Sequence, residues 1–370
     1  MKKIFYLTIS ALIFLALDLI LTKLLSSKLN LYDYFYPELN HRISNEDYHH
    51  SFEINVDTQD IWGPFKYKFI TNSLGFKDKS IRNVENSTNL NKRIIIIGDS
   101  FTEGIGYKYE DTFVGLLDNK ISNQKIEILN AGVASQSPII YFKKIKHFIE
   151  VKKLKFNELI IFLDISDIPD EYFYNIYYED EINKTSFRDK LQDLLIKNFS
   201  TYLFLDLLFS KLNFYKEDLI LRYKASKAFN IKFNKVDTKT KNLYKSINVE
   251  RGNWTHNISE WNNYGIKGRD LAKIHLDKLV DLCNKSNIKV ALVIYPWPSQ
   301  LYYDYEAILH RTYWKDWSNL KGIKFIDLFK YFNSKNPKKD IEKYFIEGDI
   351  HWNKNGHKYI HELILGEYFD

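Results

Sequence analysis

The sequence predicts an α/β protein with three layers, helix on sheet on helix, around a mostly parallel sheet of about five strands. A helical insertion interrupts this architecture and a transmembrane helix precedes it. Three observations carry the prediction. Short β-branched or aliphatic runs recur along the chain, separated by stretches with apolar residues at helical spacing. Several of these runs end in turn-forming residues, as at Gly98-Asp99 and Asn130-Ala131-Gly132. Near the start, Ile4 to Thr22 is one apolar stretch of about 19 residues behind Lys2 and Lys3.

That first stretch is long enough to span a bilayer as a helix. A cleaved signal peptide is the alternative, but no small-x-small cleavage site follows, and an uncleaved anchor over residues 1–28 is the expectation. Asp18 interrupts the run near its outer end, where a carboxylate is costly unless it reaches the headgroups or a partner helix. Residues 29–92 read as a stalk and N-terminal extension. Within it, Tyr67 to Thr71 alternates as a strand and enters the glycine turn Asn72-Ser-Leu-Gly-Phe76. His49-His50 lacks supporting ligands for a metal and is expected at the surface.

Residues 93–370 form the main domain. Ile94 to Ile97 is an unbroken β-branched run, the pattern of a strand buried on both faces of a parallel sheet. A helix is expected over 111–121, a second strand over 126–129 and a helix over 138–151. Glu158 to Leu163 is a third strand. Residues 171–262 are an insertion, with very apolar helices over 191–221 that are core-packed or membrane-apposed. Trp254, Trp261 and Tyr264 sit in a polar setting, as sugar-stacking rings or as packing. The α/β pattern then resumes with a helix over 264–284, a fourth strand over 288–295, a fifth over 324–328 and a closing helix over 355–368.

Composition limits the function. The 53 basic and 47 acidic residues leave a net charge of +6 with both signs interspersed, which does not point to nucleic acid. The single cysteine, Cys283, lies in an apolar helical pattern and reads as a buried thiol.

Chemistry concentrates at two places. Asp99-Ser100 follows the first buried strand, where the carboxyl ends of an open α/β sheet form a ligand crevice. An Asp-Ser helix cap would use the same residues. At the far end, Glu347-Gly-Asp349-Ile-His351-Trp-Asn353 places an acid and a histidine in a polar loop before a helix. Serine early with aspartate and histidine late is a workable order for a nucleophile, its base and the orienter of that base. The pair Asp349 and His351 is two residues apart, so both side chains of an extended loop face one way, and their direct bond needs a bent backbone. Glu347 is the reserve acid. His357 is a second histidine, placed inside the helical segment where packing is its expected role.

Gly98-Asp99-Ser100 with Asp349-x-His351-Trp352-Asn353 resembles the SGNH/GDSL hydrolase superfamily. More narrowly, it resembles the membrane-anchored branch that includes alginate O-acetyltransferase-like proteins. The likeness spans roughly residues 60–370. It implies a flavodoxin-like SGNH fold, Ser100 as nucleophile, His351 as base and Asp349 as orienter. Backbone N–H groups of Ser100 and Gly132 would hold the oxyanion. The superfamily's third block carries an asparagine donor where this chain has Ser166, a shorter donor, followed by Asp167 as a loop-organising or substrate-binding residue. Trp297, in the turn after the fourth strand at the same sheet edge as Ser100, either walls the substrate pocket or packs.

The implied activity is acyl transfer through an acyl-serine, as O-acetyl esterase or O-acetyltransferase on an extracytoplasmic glycan. It requires an acyl donor and a glycan acceptor, or an acylated glycan, and no cofactor or metal. Two alternatives stand beside it: a non-catalytic scaffold or glycan-binding protein of a polysaccharide assembly, and a lipase-type esterase.

Overall fold

β5 (Lys92–Ile97) is the central strand in the computed structural model, which describes residues 2–26, 41–179, 187–304, 306–332 and 336–369. The four strands before it form two antiparallel hairpins, β1 (Arg42–Asn45) with β2 (His49–Phe52) and β3 (Asp57–Trp62) with β4 (Phe65–Ile70). After it come β6 (Ile126–Asn130), β7 (Glu158–Leu163), β8 (Lys289–Ile294) and β9 (Lys324–Asp327). The last five make one sheet in the order β6-β5-β7-β8-β9, with every neighbouring pair parallel. Numbered within the sheet this is 2-1-3-4-5, the flavodoxin-like order. The expected fold class is therefore the observed one.

The sequence explains the layering. Ile94 to Ile97 and Leu159 to Leu163 have no exposed surface, as strands covered on both faces require. On one face the helix Phe113–Ile121 packs against Lys354–Ile364. On the other, Pro138–Lys146, Asp167–Glu179 and Ile266–Lys285 pack together. Helix Ile308–Lys321 is tied to Ile266–Lys285 by Trp317 Nε1, which donates to Asp277 over 2.8 Å. Cys283 is buried in that layer as expected, and burial pushes its thiol up to about 12.

The chain forms two units, Met1–Asn40 with Ile182–Val236, and His41–Glu181 with Asp237–Asp370. The larger contains the sheet. It also contains the hairpins of residues 41–70, which the stalk reading had left without structure up to residue 60. Strands of four residues are too short to show a period. Phe52, Tyr67, Phe69 and Val133 form a small core beneath these hairpins. His49 and His50 are half-buried rather than on the open surface. Their Nδ1 atoms face each other at 2.7 Å, and His50 Nε2 donates to the Ala134 carbonyl over 2.9 Å. Trp254 and Trp261 stack on each other in the interior, and Trp254 Nε1 donates to the Ile165 carbonyl over 2.9 Å. Their role is packing, so they offer no exposed platform for a sugar.

The smaller unit holds the apolar helix Lys2–Ser26, whose segment Phe5–Leu25 is long and apolar enough to cross a membrane. Two further helices, Phe187–Asn198 and Ser200–Ala228, belong to the same unit. Residues 27–28 of the expected anchor, 29–40 of the expected stalk and 180–186 of the insertion lie outside the described residues.

Gly98 has no room for a side chain. A β-carbon there would lie 2.9 Å from the Phe162 carbonyl oxygen on β7 and would overlap the Thr102 side chain. Gly98→Ala should therefore destabilise the protein by about 1–3 kcal/mol through overpacking. A denaturant titration that shows no loss would place the nucleophile turn less tightly against β7 than this.

Candidate active site

β5 ends at Ile97, and Gly98 turns the chain into the single helical turn Ser100–Glu103. Asp99 caps that turn, its Oδ1 accepting the Phe101 N–H over 3.0 Å. The cap and the exposed-hydroxyl roles weighed from sequence are thus held by adjacent residues, Asp99 and Ser100. Ser100 lies where β6 and β7 part on either side of β5, the topological switch point at which such sheets bind ligands.

His351 arrives from the far end of the chain. Its loop is pinned at the base, where Ile346 N–H donates to the His351 carbonyl over 2.8 Å and Phe345 bridges to Trp352. Gly348 has φ of 76°, a left-handed conformation that favours glycine. Asn353 then caps helix Lys354–Ile364 by accepting the Gly356 N–H over 3.0 Å. The bent backbone that the two-residue spacing demands is present. Asp349 Oδ1 accepts the N–H groups of Ile350 and His351 over 2.6 and 3.0 Å.

The three side chains meet. His351 Nε2 lies 2.8 Å from Ser100 Oγ, and His351 Nδ1 lies 2.6 Å from Asp349 Oδ1. An ionised carboxylate on Nδ1 fixes the tautomer that leaves Nε2 free to accept the serine proton. Burial disfavours the imidazolium, but the hydrogen bond and charge of Asp349, with the charges of Asp99 and Asp164, outweigh it and raise the His351 pKa above 6.5. Asp349 moves the other way. Its burial opposes ionisation, yet its contacts with His351 and Trp62 hold it well below the ordinary carboxylate range.

Trp62 is the residue that sequence reasoning missed. It ends β3, and its Nε1 donates to Asp349 Oδ2 over 2.9 Å while its ring stands edge-on to the His351 ring at 5.2 Å. Phe101 packs on the imidazole from another side, with ring centroids 4.8 Å apart. Nothing local to Trp62 signals a partner 287 residues away. The same hairpins reach the nucleophile turn through Arg42, which donates to both oxygens of the buried Glu103 over 2.6 and 3.1 Å.

His357 packs as expected, and the other candidates are placed differently from expectation. Glu347 is exposed and accepts Asn242 Nδ2 over 2.9 Å, away from the histidine. His357 is buried, its Nδ1 accepting the Phe113 N–H over 3.3 Å, and burial lowers its pKa to about 3. Gly132 does not present a free N–H, because that group donates to Asn130 Oδ1 over 3.0 Å. Its lack of a side chain serves packing instead, since a β-carbon would come within 2.6 Å of the Glu103 nitrogen. Ser166 Oγ donates its one proton to Asp164 over 2.6 Å, so it too is committed. Ser100 N–H remains, at the first position of a helical turn, where geometry leaves an amide without an intrahelical acceptor.

Trp297 and Asp167 are buried and turned inward rather than toward a substrate. Trp297 Nε1 donates to Asp164 Oδ2 over 2.7 Å, and Asp167 accepts the Tyr141 hydroxyl and the Asp164 N–H. With Asp99 these aspartates form a buried cluster whose oxygens lie within 4.8 Å of one another. The spacing would suit a cation, but the donor set argues otherwise: each carboxyl already receives hydrogen bonds from protein groups. A cavity of about 290 Å³ adjoins the acid–base loop, lined in part by Leu243, Ile341, Phe345 and Ile346.

The chain thus brings a serine, a histidine and an aspartate within hydrogen-bond reach of one another at the switch point of an open parallel sheet. No protein-family profile matches the chain, and no curated protein matches it. Among solved structures it is similar to a G-D-S-L family lipolytic protein from Desulfitobacterium hafniense, at 14% identity over 74% of this chain and 97% of that one, with a TM-score of 0.37. It is also similar to the esterase EstA from a Pseudoalteromonas species, at 10% identity over 75% and 96% of the chains and a TM-score of 0.40. An acetylxylan esterase from Geobacillus stearothermophilus gives 10% identity, 76% and 95% coverage and 0.40.

The Trp62 contact can be tested without dismantling the site. Trp62→Phe keeps a ring beside His351 and removes the N–H. We expect kcat to fall by about 10- to 100-fold through loss of orientation. The acid limb of the pH–rate profile should also move upward, because a carboxylate that loses a donor binds the imidazolium proton more strongly. An unchanged profile would mean that Trp62 only packs.

Proposed function

We propose that this protein cleaves or transfers esters through an acyl-Ser100 intermediate. The observation that carries the reading is the unbroken relay from Ser100 Oγ through His351 to Asp349, at 2.8 and 2.6 Å. A free serine hydroxyl is a poor nucleophile at neutral pH, and this arrangement supplies the base it needs.

Ser100 Oγ attacks the ester carbonyl as His351 Nε2 takes its proton. The carbonyl oxygen becomes an oxyanion, facing the Ser100 N–H. His351 then protonates the departing alkoxide, and the bond to the alcohol breaks. Water or an acceptor hydroxyl attacks the acyl-serine, giving its proton to His351, and Ser100 leaves with that proton. Asp349 stays ionised throughout and stabilises the imidazolium.

The scaffold alternative anticipates a collapsed or misaligned site, and the aligned relay favours an enzyme. Whether the acceptor is water or a hydroxyl depends on water exclusion around the acyl-enzyme. A glycan as the acylated partner, and an extracytoplasmic location, rest on the sequence resemblance. The buried Trp254 and Trp261 withdraw the aromatic support that the glycan reading had in the sequence.

The test uses the full chain in detergent with a fluorophosphonate and with p-nitrophenyl acetate. Mass spectrometry should place the phosphonate on Ser100, and Ser100→Ala should abolish the adduct. His351→Ala should slow turnover by about 10³-fold or more. The profile of kcat/KM should fall on the acid side with a midpoint above 6.5, since the raised His351 pKa protonates the base there. A folded protein with neither adduct nor turnover would overturn the proposal. Acetylated xylan or alginate in place of the nitrophenyl ester then tests the glycan arm separately.

A further inference from the structure

Asp18 is the one carboxylate of the apolar segment Phe5–Leu25, and it is buried. Both its oxygens face the Thr201 N–H at 3.3 Å. One helical turn further on, Thr22 Oγ1 accepts the Ser200 N–H over 2.7 Å and lies 2.8 Å from the Ser200 hydroxyl. Helix Ser200–Ala228 begins here with orphan N–H groups and a positive dipole end, and its own N-cap residue, Phe199, has no side-chain acceptor. The first helix therefore caps the second. This explains a carboxylate that would be costly in an apolar span.

The cap also sets a depth. Thr22 and Asp18 precede Leu25, the end of the apolar segment, by three and seven residues. At 1.5 Å per residue, that places the start of the second helix roughly 5–10 Å inside the boundary of any bilayer the first helix spans. From there, Phe204, Leu208, Leu212, Tyr215 and Leu219 recur at intervals of four, four, three and four residues, and all are exposed. Successive steps of 100° put these five along one side, and Leu205, Phe209 and Phe214, also exposed, extend the apolar surface beyond it. Lys211 and Lys216 project on either side of it. Leu203, on the opposite side, is buried.

We propose that this stripe lies in a lipid bilayer, as an interfacial helix pinned at its amino end by the anchor. Exposed Phe and Leu at acyl-chain depth, with lysines flanking, fit an anionic lipid surface. The inference rests on the anchor spanning a membrane, and is independent of the reaction at Ser100.

The test is depth-dependent quenching in the full chain, reconstituted in vesicles of phosphatidylcholine and phosphatidylglycerol. Cys283→Ala removes the native thiol. Single cysteines at Phe204→Cys, Leu208→Cys, Leu212→Cys or Leu219→Cys carry an NBD fluorophore, with Leu12→Cys as the anchor control and Lys235→Cys as the solvent control. The stripe labels should be quenched by spin-labelled lipid and resist iodide severalfold better than Lys235→Cys. Iodide access at the stripe, with Leu12→Cys still quenched by lipid, would overturn the inference and leave the anchor standing. Loss of lipid quenching at both would overturn both. Protection from iodide without lipid quenching would mean a protein covers the stripe, and overturns it as well. Asp18→Leu should raise iodide access at Phe204→Cys severalfold, and no change would remove the cap from the argument.

Discussion

Three buried aspartates crowd together beneath Ser100. Asp99, Asp164 and Asp167 place their oxygens within 4.8 Å of one another, out of water, at the carboxyl ends of β5 and β7. Burial and mutual repulsion push Asp99 up to about 7 and Asp167 well above its ordinary value. Such a cluster persists only if its oxygens meet donors. Trp297, Tyr141, the Ser166 hydroxyl and the amides of Phe101, Ser166 and Asp164 supply them. This accounts for residues that the sequence placed around a substrate. They hold the floor on which the nucleophile turn rests.

That floor imposes a choice on Ser100. Its hydroxyl has one proton and two acceptors in reach, His351 Nε2 at 2.8 Å and Asp99 Oδ2 at 3.0 Å. A protonated Asp99 can donate to Ser100 Oγ and leave the serine proton to the histidine. An ionised one competes for that proton. The protonation of Asp99 and the orientation of the serine are thus linked, through burial first and the charge of Asp164 second. The relay on the outer side depends equally on distant chain, since Trp62 and Arg42 bring the early hairpins onto Asp349 and Glu103.

Much of this was legible in the sequence, for identifiable reasons. A run of four isoleucines has few homes other than a doubly covered strand, so the sheet was readable. That Ser100, Asp349 and His351 meet was readable because a serine, an acid and a histidine are distinct residue types and stand in a workable order. Trp62 was not, because a single indole in a short strand carries no period and its partner is remote. The roles of Gly132 and Ser166 were misplaced for a related reason. Motif position reports which backbone is near the site, but a donor's availability depends on what else accepts from it. Asn130 takes the Gly132 N–H and Asp164 takes the Ser166 proton. Asp18 was flagged as needing a partner, and only packing could reveal a helix terminus.

The titrating groups divide by the sign of their effect on stability. His351 has a raised pKa, so the stability it contributes is present below its unfolded value and is lost as pH rises through the folded one. Asp349, depressed, contributes stability above its unfolded value and loses it only in acid. Asp99 works against the fold. The unfolded chain releases its proton near 3.8 and the folded one near 7, so stability falls across that interval. Lys144, which holds the Ala131 carbonyl at 2.7 Å, is pulled down to about 7 by burial. Its buried charge therefore costs stability at neutral pH and below, a cost relieved as pH rises toward its unfolded value. Of the two destabilising groups, Asp99 adjoins Ser100 and Lys144 holds the loop after β6, whereas the His351 and Asp349 pair is favourable. Evolution for stability alone would replace a buried lysine on a carbonyl and an acid held near 7 with apolar side chains. Both are kept at a cost to the fold, Asp99 beside Ser100 and Lys144 on the carbonyl of the loop that follows β6.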